Sequence, residues 1–331
     1  ASNLIYREVT AQDNFGQITA ATLGNGVRQT AKYSNKTGQV LSLGYSKNND
    51  NVFGVTYGTT SNSSDGYDGF GNMIKSVTVR GSIFNATVAT ETYAYDNLQR
   101  LKSNSIQGIQ SVSYTYDAVG NLTSKSDYAN SYNYLSHLSG YSGGGSNAVK
   151  RVRKNNTWYG FSYDNRGNLI KGDGLAQALY NAMDKPTLIN KNGSVSQFTY
   201  GPNGMRHKQS KTVAGKNTTT YYVDALYEEE ISGLTTQWRA YIGDIAIVSG
   251  KSTGGTTVRY THKDRLGSTL AFTNEQGQVV AQRLFDPFGK PRNIDGRVLS
   301  VPRFTDIAQS TTARGFTDHE HLNEAELIHM N

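Results

Sequence analysis

Aromatic and aliphatic residues alternate with small polar ones in short runs along this chain, and most runs end at a turn signature. Tyr93 and Tyr95, then Val112, Tyr114 and Tyr116, then Tyr132 and Tyr134, Phe161 and Tyr163, and Phe198 and Tyr200 are each two residues apart. Ser113, Thr115, Ser162 and Thr199 fall between them. A period of two is the strand period, so the rings are expected on one face and the hydroxyls on the other. Helical periodicity is nearly absent. Gly174 to Ala182 does place Leu175, Ala178, Leu179 and Ala182 at helical spacing, but Tyr180 stands where a degenerate turn unit belongs, and the segment reads as strand and turn.

The turn signature is itself a repeat. Tyr67-Asp68-Gly69-Phe70-Gly71-Asn72-Met73 recurs from Tyr95 to Leu101, from Tyr116 to Leu122 and from Tyr163 to Leu169, with weaker copies from Tyr180 to Pro186 and Tyr200 to Met205 and an earlier one from Asp13 to Ile18. Spacings from Tyr67 onward are 28, 21, 47, 17 and 20 residues, and a degenerate copy near Tyr141 would halve the long gap. Aspartate at the head of such a turn accepts hydrogen bonds from nearby backbone N–H groups, and glycine three residues on takes the positive φ of a type I turn plus bulge. A strand-turn-strand unit of about twenty residues cannot bury its own apolar face. Neighbouring units must stack, which predicts an all-β, spiralling antiparallel sheet forming part of a hollow shell, with no large conventional core.

Composition narrows the class. Of 331 residues, 35 are glycine, 22 tyrosine and five proline, and hydrophobic residues make up 36%, which excludes collagen, coiled coil and proline-rich linker. There is no cysteine, so disulfides, thiolate metal sites and cysteine nucleophiles are excluded together. No stretch of eighteen apolar residues occurs, and Ala1 to Val9 lacks the basic and apolar regions of a signal peptide; no membrane insertion by this segment is expected. The net charge of +7 is concentrated between Lys150 and Lys216, where twelve Lys/Arg face Asp164, Asp173 and Asp184. Polyanions, including anionic glycans, are candidate partners for that stretch, and Lys150-Arg151-Val152-Arg153-Lys154 is its one dense patch; singly placed charges between turn residues also read as a solvated outer face.

No stretch reads as a phosphate loop: Ser142-Gly143-Gly144-Gly145-Ser146 lacks the Lys-Ser/Thr pair, and Gly24-Asn25-Gly26 is a hairpin turn. Seven Asn-x-Ser/Thr triplets, at Asn35, Asn62, Asn85, Asn121, Asn155, Asn192 and Asn217, are what turn-rich composition produces by chance.

The Tyr-Asp-x-x-Gly-Asn-Leu units resemble those of YD-repeat, or Rhs, proteins. The C-terminal third is similar to the Rhs repeat-associated core region: His262 to Ser268, Asp286-Pro287-Phe288-Gly289-Lys290, Arg314 to Leu322, and Leu327 to Asn331. The resemblance runs from about Asp13 to Asn331. It implies a hollow β-shell, like that of the C component of insecticidal Tc toxins, that wraps a variable C-terminal toxin, with the core region closing the shell and carrying an aspartyl self-cleavage site. In that family the self-cleaving aspartates follow the string that ends here at Asn331. Asp286 superficially resembles them but belongs to the preceding segment, and a carboxylate beside proline after a strand is chiefly turn chemistry.

His319, His321 and His329 cluster with Asp318, Glu320, Glu324 and Glu326, yet His319-Glu320-His321 lacks a third ligand at a standard spacing. No catalytic, cofactor or metal residue is therefore assigned. Residues 1–220 read as repeat shell and 221–331 as core region, in one continuous structure. Three functions stay open: a non-enzymatic scaffold for a polymorphic toxin in bacterial competition or virulence, a surface adhesion or glycan-binding module, and part of a self-cleaving aspartyl peptidase. The first implies a C-terminal toxin as cargo, secretion-system or toxin-complex components as partners, and a secreted or cell-surface location. Open sheet edges further predict an upstream shell polypeptide or a second copy pairing edge to edge.

Overall fold

The computed structural model describes residues 4–57, 66–80, 88–109, 111–293 and 312–330. Asn331 and the triplets at Asn62 and Asn85 lie outside the described residues, as does part of the Asn- and Ser-rich stretch before Tyr67. Strands β1 to β10, from Arg7 to Lys125, form one antiparallel sheet, and β11 to β25, from Ser131 to Gln282, form a second; each strand pairs with its neighbours in sequence. Two hairpins follow, β26 (Leu284–Phe285) with β27 (Pro291–Arg292) and β28 (Glu320–Leu322) with β29 (Leu327–His329). The expected single strip is thus interrupted at residues 126–130, a connection tied to the end of the first sheet by a Lys125–Ala129 bridge and to the second by the Asn130 N–H donating to the Arg153 carbonyl at 3.1 Å. Leu175–Tyr180 is a strand, as its turn context predicts. The expected change of character at residue 220 falls inside strand β19 (Lys216–Val223), within one continuous sheet.

The repeat has a backbone explanation. In the copies headed by Asp13, Asp68, Asp96, Asp117 and Asp164, one carboxylate oxygen accepts from the N–H groups two and four residues on, at 2.8–3.0 Å. These contacts lie within five residues, which is why the motif is readable locally. In four copies the tyrosine preceding the turn performs a second task. Its hydroxyl donates to the carbonyl of the residue that closes an earlier unit: Tyr95 to Met73, Tyr116 to Leu101, Tyr180 to Leu169 and Tyr200 to Pro186, all at 2.7–2.9 Å. The phenols therefore stitch unit to unit along the strip.

Tyr134 fills the long gap, donating to Leu122 at 2.7 Å. Tyr141 does not: its ring covers Gly160, where a Cβ would come within 2.6 Å of it. Each ladder phenol makes one net hydrogen bond, so Tyr116→Phe is expected to cost about 1 kcal/mol. Chemical denaturation should show Tyr95→Phe and Tyr180→Phe costing the same, while Tyr114→Phe, which frees buried Asn104, should cost more.

Faces follow the predicted alternation in β9 (Val112–Tyr116), where Val112 and Tyr114 are buried and Ser113 and Thr115 exposed. Ser162 departs from it. It is buried, and its hydroxyl accepts the Ser142 N–H at 3.1 Å, because residues 134–150 fold over that side of the strand.

The strip curls back on itself. Leu23, Val27, Tyr45, Phe53, Val55 and Tyr57 of the first sheet pack with Ala246, Tyr260, Leu270 and Ala271 of the second. Three smaller clusters lie elsewhere along the strip, so apolar burial is divided rather than pooled in one core. Asn25 donates to Thr273 and to the Asn274 carbonyl at 2.9 and 2.8 Å, and Lys47 reaches the Gln276 carbonyl at 2.5 Å.

Candidate functional site

The C-terminal motif residues converge on the seam where the two sheets meet and on a strap that crosses the second sheet. His262 is wholly buried on β23 (Thr256–Lys263), with its ring 4.5 Å from that of Tyr45. Its Nε2 is hydrogen-bonded to the Thr273 hydroxyl at 2.9 Å, and that hydroxyl also accepts from Asn25. Burial lowers the His262 pKa to about 3, keeping the ring neutral. In the following turn, the Lys263 and Arg265 N–H groups donate to the Tyr45 and Tyr57 hydroxyls at 3.3 and 3.2 Å. The motif is a clasp between sheets.

Asp286 heads another turn of the repeat type. One carboxylate oxygen accepts from Phe288 and Lys290 N–H at 2.8 Å, and the other faces Lys125 at 3.1 Å. Lys125 also meets Asp127 at 2.8 Å, and Lys290 meets Asp127 at 3.5 Å. Two lysines and two aspartates thus alternate between a C-terminal turn and the first sheet, with the Phe288 ring 5.4 Å from Tyr114. Such a carboxylate is committed to turn and ion pair.

The strap, residues 312–330, lies over strands of the second sheet. Leu322 and Ala325 pack with Leu175, Ala178, Ile189 and Phe198. Glu320 pairs with Arg206 and accepts the Tyr222 hydroxyl at 3.1 Å, Glu324 meets Lys211 at 3.2 Å, and Asp318 meets Lys263 at 3.2 Å. The Arg314 guanidinium sits 3.6 Å from the Tyr241 ring centre and donates to the Ala225 carbonyl. Arg283 donates to the Thr312 and Arg314 carbonyls at 2.7 and 2.5 Å. Beneath them Glu228 accepts from Tyr241 at 2.7 Å and from Arg239 at 3.2 Å; burial raises its pKa against the pull of Arg239. Strap and sheet enclose a cavity of about 470 Å³ whose lining includes Gln209, Thr220, Gln237, Ser249, Glu228 and Arg239.

The histidines divide their roles. His321 Nε2 accepts the Phe316 N–H at 3.2 Å, which requires the neutral ring, and burial with nearby Arg283 lowers its pKa to about 3. Burial first, then Arg206, Lys185 and His319, lowers His329 to about 4. Among the described residues no three His, Asp or Glu side chains converge as a metal site.

The basic stretch turns inward. Lys150 is buried and donates to the carbonyls of Gly143, Gly144 and Gly145 at 2.7–3.0 Å, so the glycine loop is a nest for an ammonium. Gly143 needs its positive φ, and a Cβ there would strike the Tyr163 carbonyl. Lys154 pairs with Asp173 and lies 4.7 and 4.6 Å from the Tyr128 and Tyr159 rings, while Arg151 stacks on Trp158 at 4.5 Å. The patch expected to offer charge to a polyanion spends much of it internally.

Sequence reasoning missed Arg206, Glu228, Arg239 and the Glu91–Arg292 pair. The only hint was the acidic run Glu228-Glu229-Glu230 inside an otherwise strand-like segment.

Comparison with solved structures places this architecture. TcdB2–TccC3 without its hypervariable C-terminal region aligns with a TM-score of 0.67 at 15% identity, over 96% of this chain and 17% of that chain. The Photorhabdus luminescens Tc holotoxin pore gives 0.67 and 15%, over 97% and 17%. The chain shares the fold of a Tc toxin component. In sequence, the tRNA3(Ser)-specific nuclease WapA of Bacillus spizizenii is 26% identical over 203 residues, 60% of this chain and 8% of the nuclease. No family model matches. This chain therefore spans 17% of the Tc chains and 8% of the nuclease.

Proposed function

We propose that this chain is a non-enzymatic wall segment of an Rhs-type shell that encloses a C-terminal toxin for secretion and delivery in bacterial competition or virulence. The observation that carries this reading is the division of apolar burial into separate clusters along two open sheets, crossed by a strap whose underside is polar. A globular enzyme pools its apolar surface in one core, whereas a container needs a thin wall and a lining that does not grip its contents. Ser196, Gln209, Thr220, Gln237 and Ser249 line the space under the strap together with the charged Lys211, Glu228, Glu230, Arg239 and Arg259, and few apolar side chains face it. The likeness to Tc toxin components and to a tRNA3(Ser)-specific nuclease supports delivery as the context, with toxin-complex components as partners.

The glycan-binding alternative is less well supported because Lys150, Arg151 and Lys154 are engaged internally and the ladder phenols are tied to carbonyls. The self-cleavage alternative places its catalytic aspartates after Asn331, and among the described residues Asp286 holds a turn while Glu228 and Glu320 pair with cations.

The test is limited proteolysis of the full-length product, followed by mass spectrometry. The C-terminal region should resist protease while the shell is folded and be digested once denaturant opens it. Digestion at the rate of the free C-terminal region would overturn the reading.

A further inference from the structure

The two rims of the strip differ in chemistry. Because strands follow one another in sequence order, connections from odd to even strands fall on one rim and those from even to odd on the other. The second rim is built from tight Asn48-Asn49, Asn155-Asn156, Asp173-Gly174 and Asn192-Gly193 turns with positive φ at both positions; its conspicuous apolar tip among the described residues is Leu234. On the first rim, by contrast, turn tips are Phe15, Phe70, Leu98, Val119, Leu135 and Met183, which are 75, 81, 67, 76, 94 and 56% exposed.

These side chains have no local reason to be apolar. Arg166 and Asn203 occupy the same turn position, so the turn accepts polar residues there. Neighbouring turns are also tied sideways, Gln39 to the Gly71 carbonyl at 3.2 Å, Arg100 to the Asp117 carbonyl at 3.2 Å and Asn168 to Asp184 at 2.8 Å. Phe70, Leu98, Val119 and Leu135 therefore stand in consecutive turns of this rim, two strands or roughly 10 Å apart, while Phe15 and Met183 lie one intervening turn further along at either end. One such tip makes a partial contact within the molecule: Phe288, third residue of the Asp286 turn and still 55% exposed, lies with its ring 5.4 Å from that of Tyr114, beside the Lys125–Asp286 and Lys290–Asp127 ion pairs.

We propose that this rim is a self-association surface on which a second copy of the chain docks rim to rim. A row of knobs spaced by two strands matches a surface with the same spacing, and another copy supplies it, each knob entering a gap in the opposing row. Six tips covering on the order of 100 Å² each would bury about 600 Å² per partner, close to the roughly 800 Å² of a standard specific interface. The surface is distinct from the open strand edges and does not require a cargo inside.

Sedimentation velocity over a wide concentration range tests it. The wild type should form dimers, Phe70→Ser/Leu98→Ser/Val119→Ser should be a monomer, and Leu98→Glu alone should raise the dissociation constant at least roughly tenfold. Unchanged circular dichroism and denaturation midpoints establish that the exposed substitutions leave the fold intact, and Leu98→Glu carries the test if the triple variant does not fold. A wild type that stays monomeric at every concentration overturns the proposal in favour of a different occupant, and dimers indifferent to both variants locate the contact elsewhere. Protease protection of the C-terminal region, measured on the same variants, reports separately on enclosure.

Discussion

Arg292→Ala is expected to destabilise the protein by about 3–5 kcal/mol. Arg292 lies on β27, is 7% exposed, and donates to Glu91 of the first sheet at 2.9 Å across 201 residues of sequence. Glu91 is 8% exposed and also accepts from Asn104 at 2.9 Å; Asn104 in turn accepts the Tyr114 hydroxyl at 2.9 Å. Removing the guanidinium leaves a buried carboxylate at the end of a hydrogen-bond chain whose other members among the described residues, Asn104 and Tyr114, are neutral. The cost is mainly that of the orphaned charge, so Arg292→Met combined with Glu91→Leu should recover most of the loss. Urea midpoints of the three proteins decide the matter. A loss below about 1 kcal/mol for Arg292→Ala would mean that the C-terminal hairpin is held to the sheet by packing alone.

His262 should make the protein lose stability on acidification, and by a predictable slope. Its pKa is lowered to about 3 in the folded protein from an ordinary value of 6.5. A depressed histidine leaves the native state short of a proton that the unfolded chain binds, so its contribution is whole above pH 6.5 and is lost as pH falls towards the folded value. The expected loss is about 1.4 kcal/mol per pH unit, or about 3 kcal/mol between pH 8 and pH 4. Glu228 and Asp264 have raised pKa values, mainly from burial, and act in the opposite sense: the native state takes up their protons early. The raw stability of the wild type is therefore not the readout. His262→Asn is the control, because every other titration cancels in the difference. The variant should be less stable than wild type at pH 8 and should close the gap by about 3 kcal/mol at pH 4. A gap independent of pH would show that water or a counter-charge reaches the ring.

The pattern along the chain by itself determined the strands and most of their turns. The Asp-x-x-Gly units were legible because their hydrogen bonds close within five residues, and the alternation of Val112 to Tyr116 was legible because strand faces follow from a period of two. Leu175 to Tyr180 could be read as strand against its helical spacing because the turn unit after it set the frame. What the pattern lacks is any statement of where the strip bends. The tertiary structure alone chose Tyr134 over Tyr141 for the ladder, covered Ser162 with the 134–150 excursion, and turned Lys150 inward to three glycine carbonyls. It also joined Glu91 to Arg292, Lys125 to Asp286 and Arg206 to Glu320. These pairs lie more than one hundred residues apart, and they form only because the second sheet curls back onto the first and the strap crosses it. The physical reason is one of range: backbone turns are satisfied by the nearest atoms, whereas a buried charge is satisfied by whatever distant segment the curvature of the sheet brings to it.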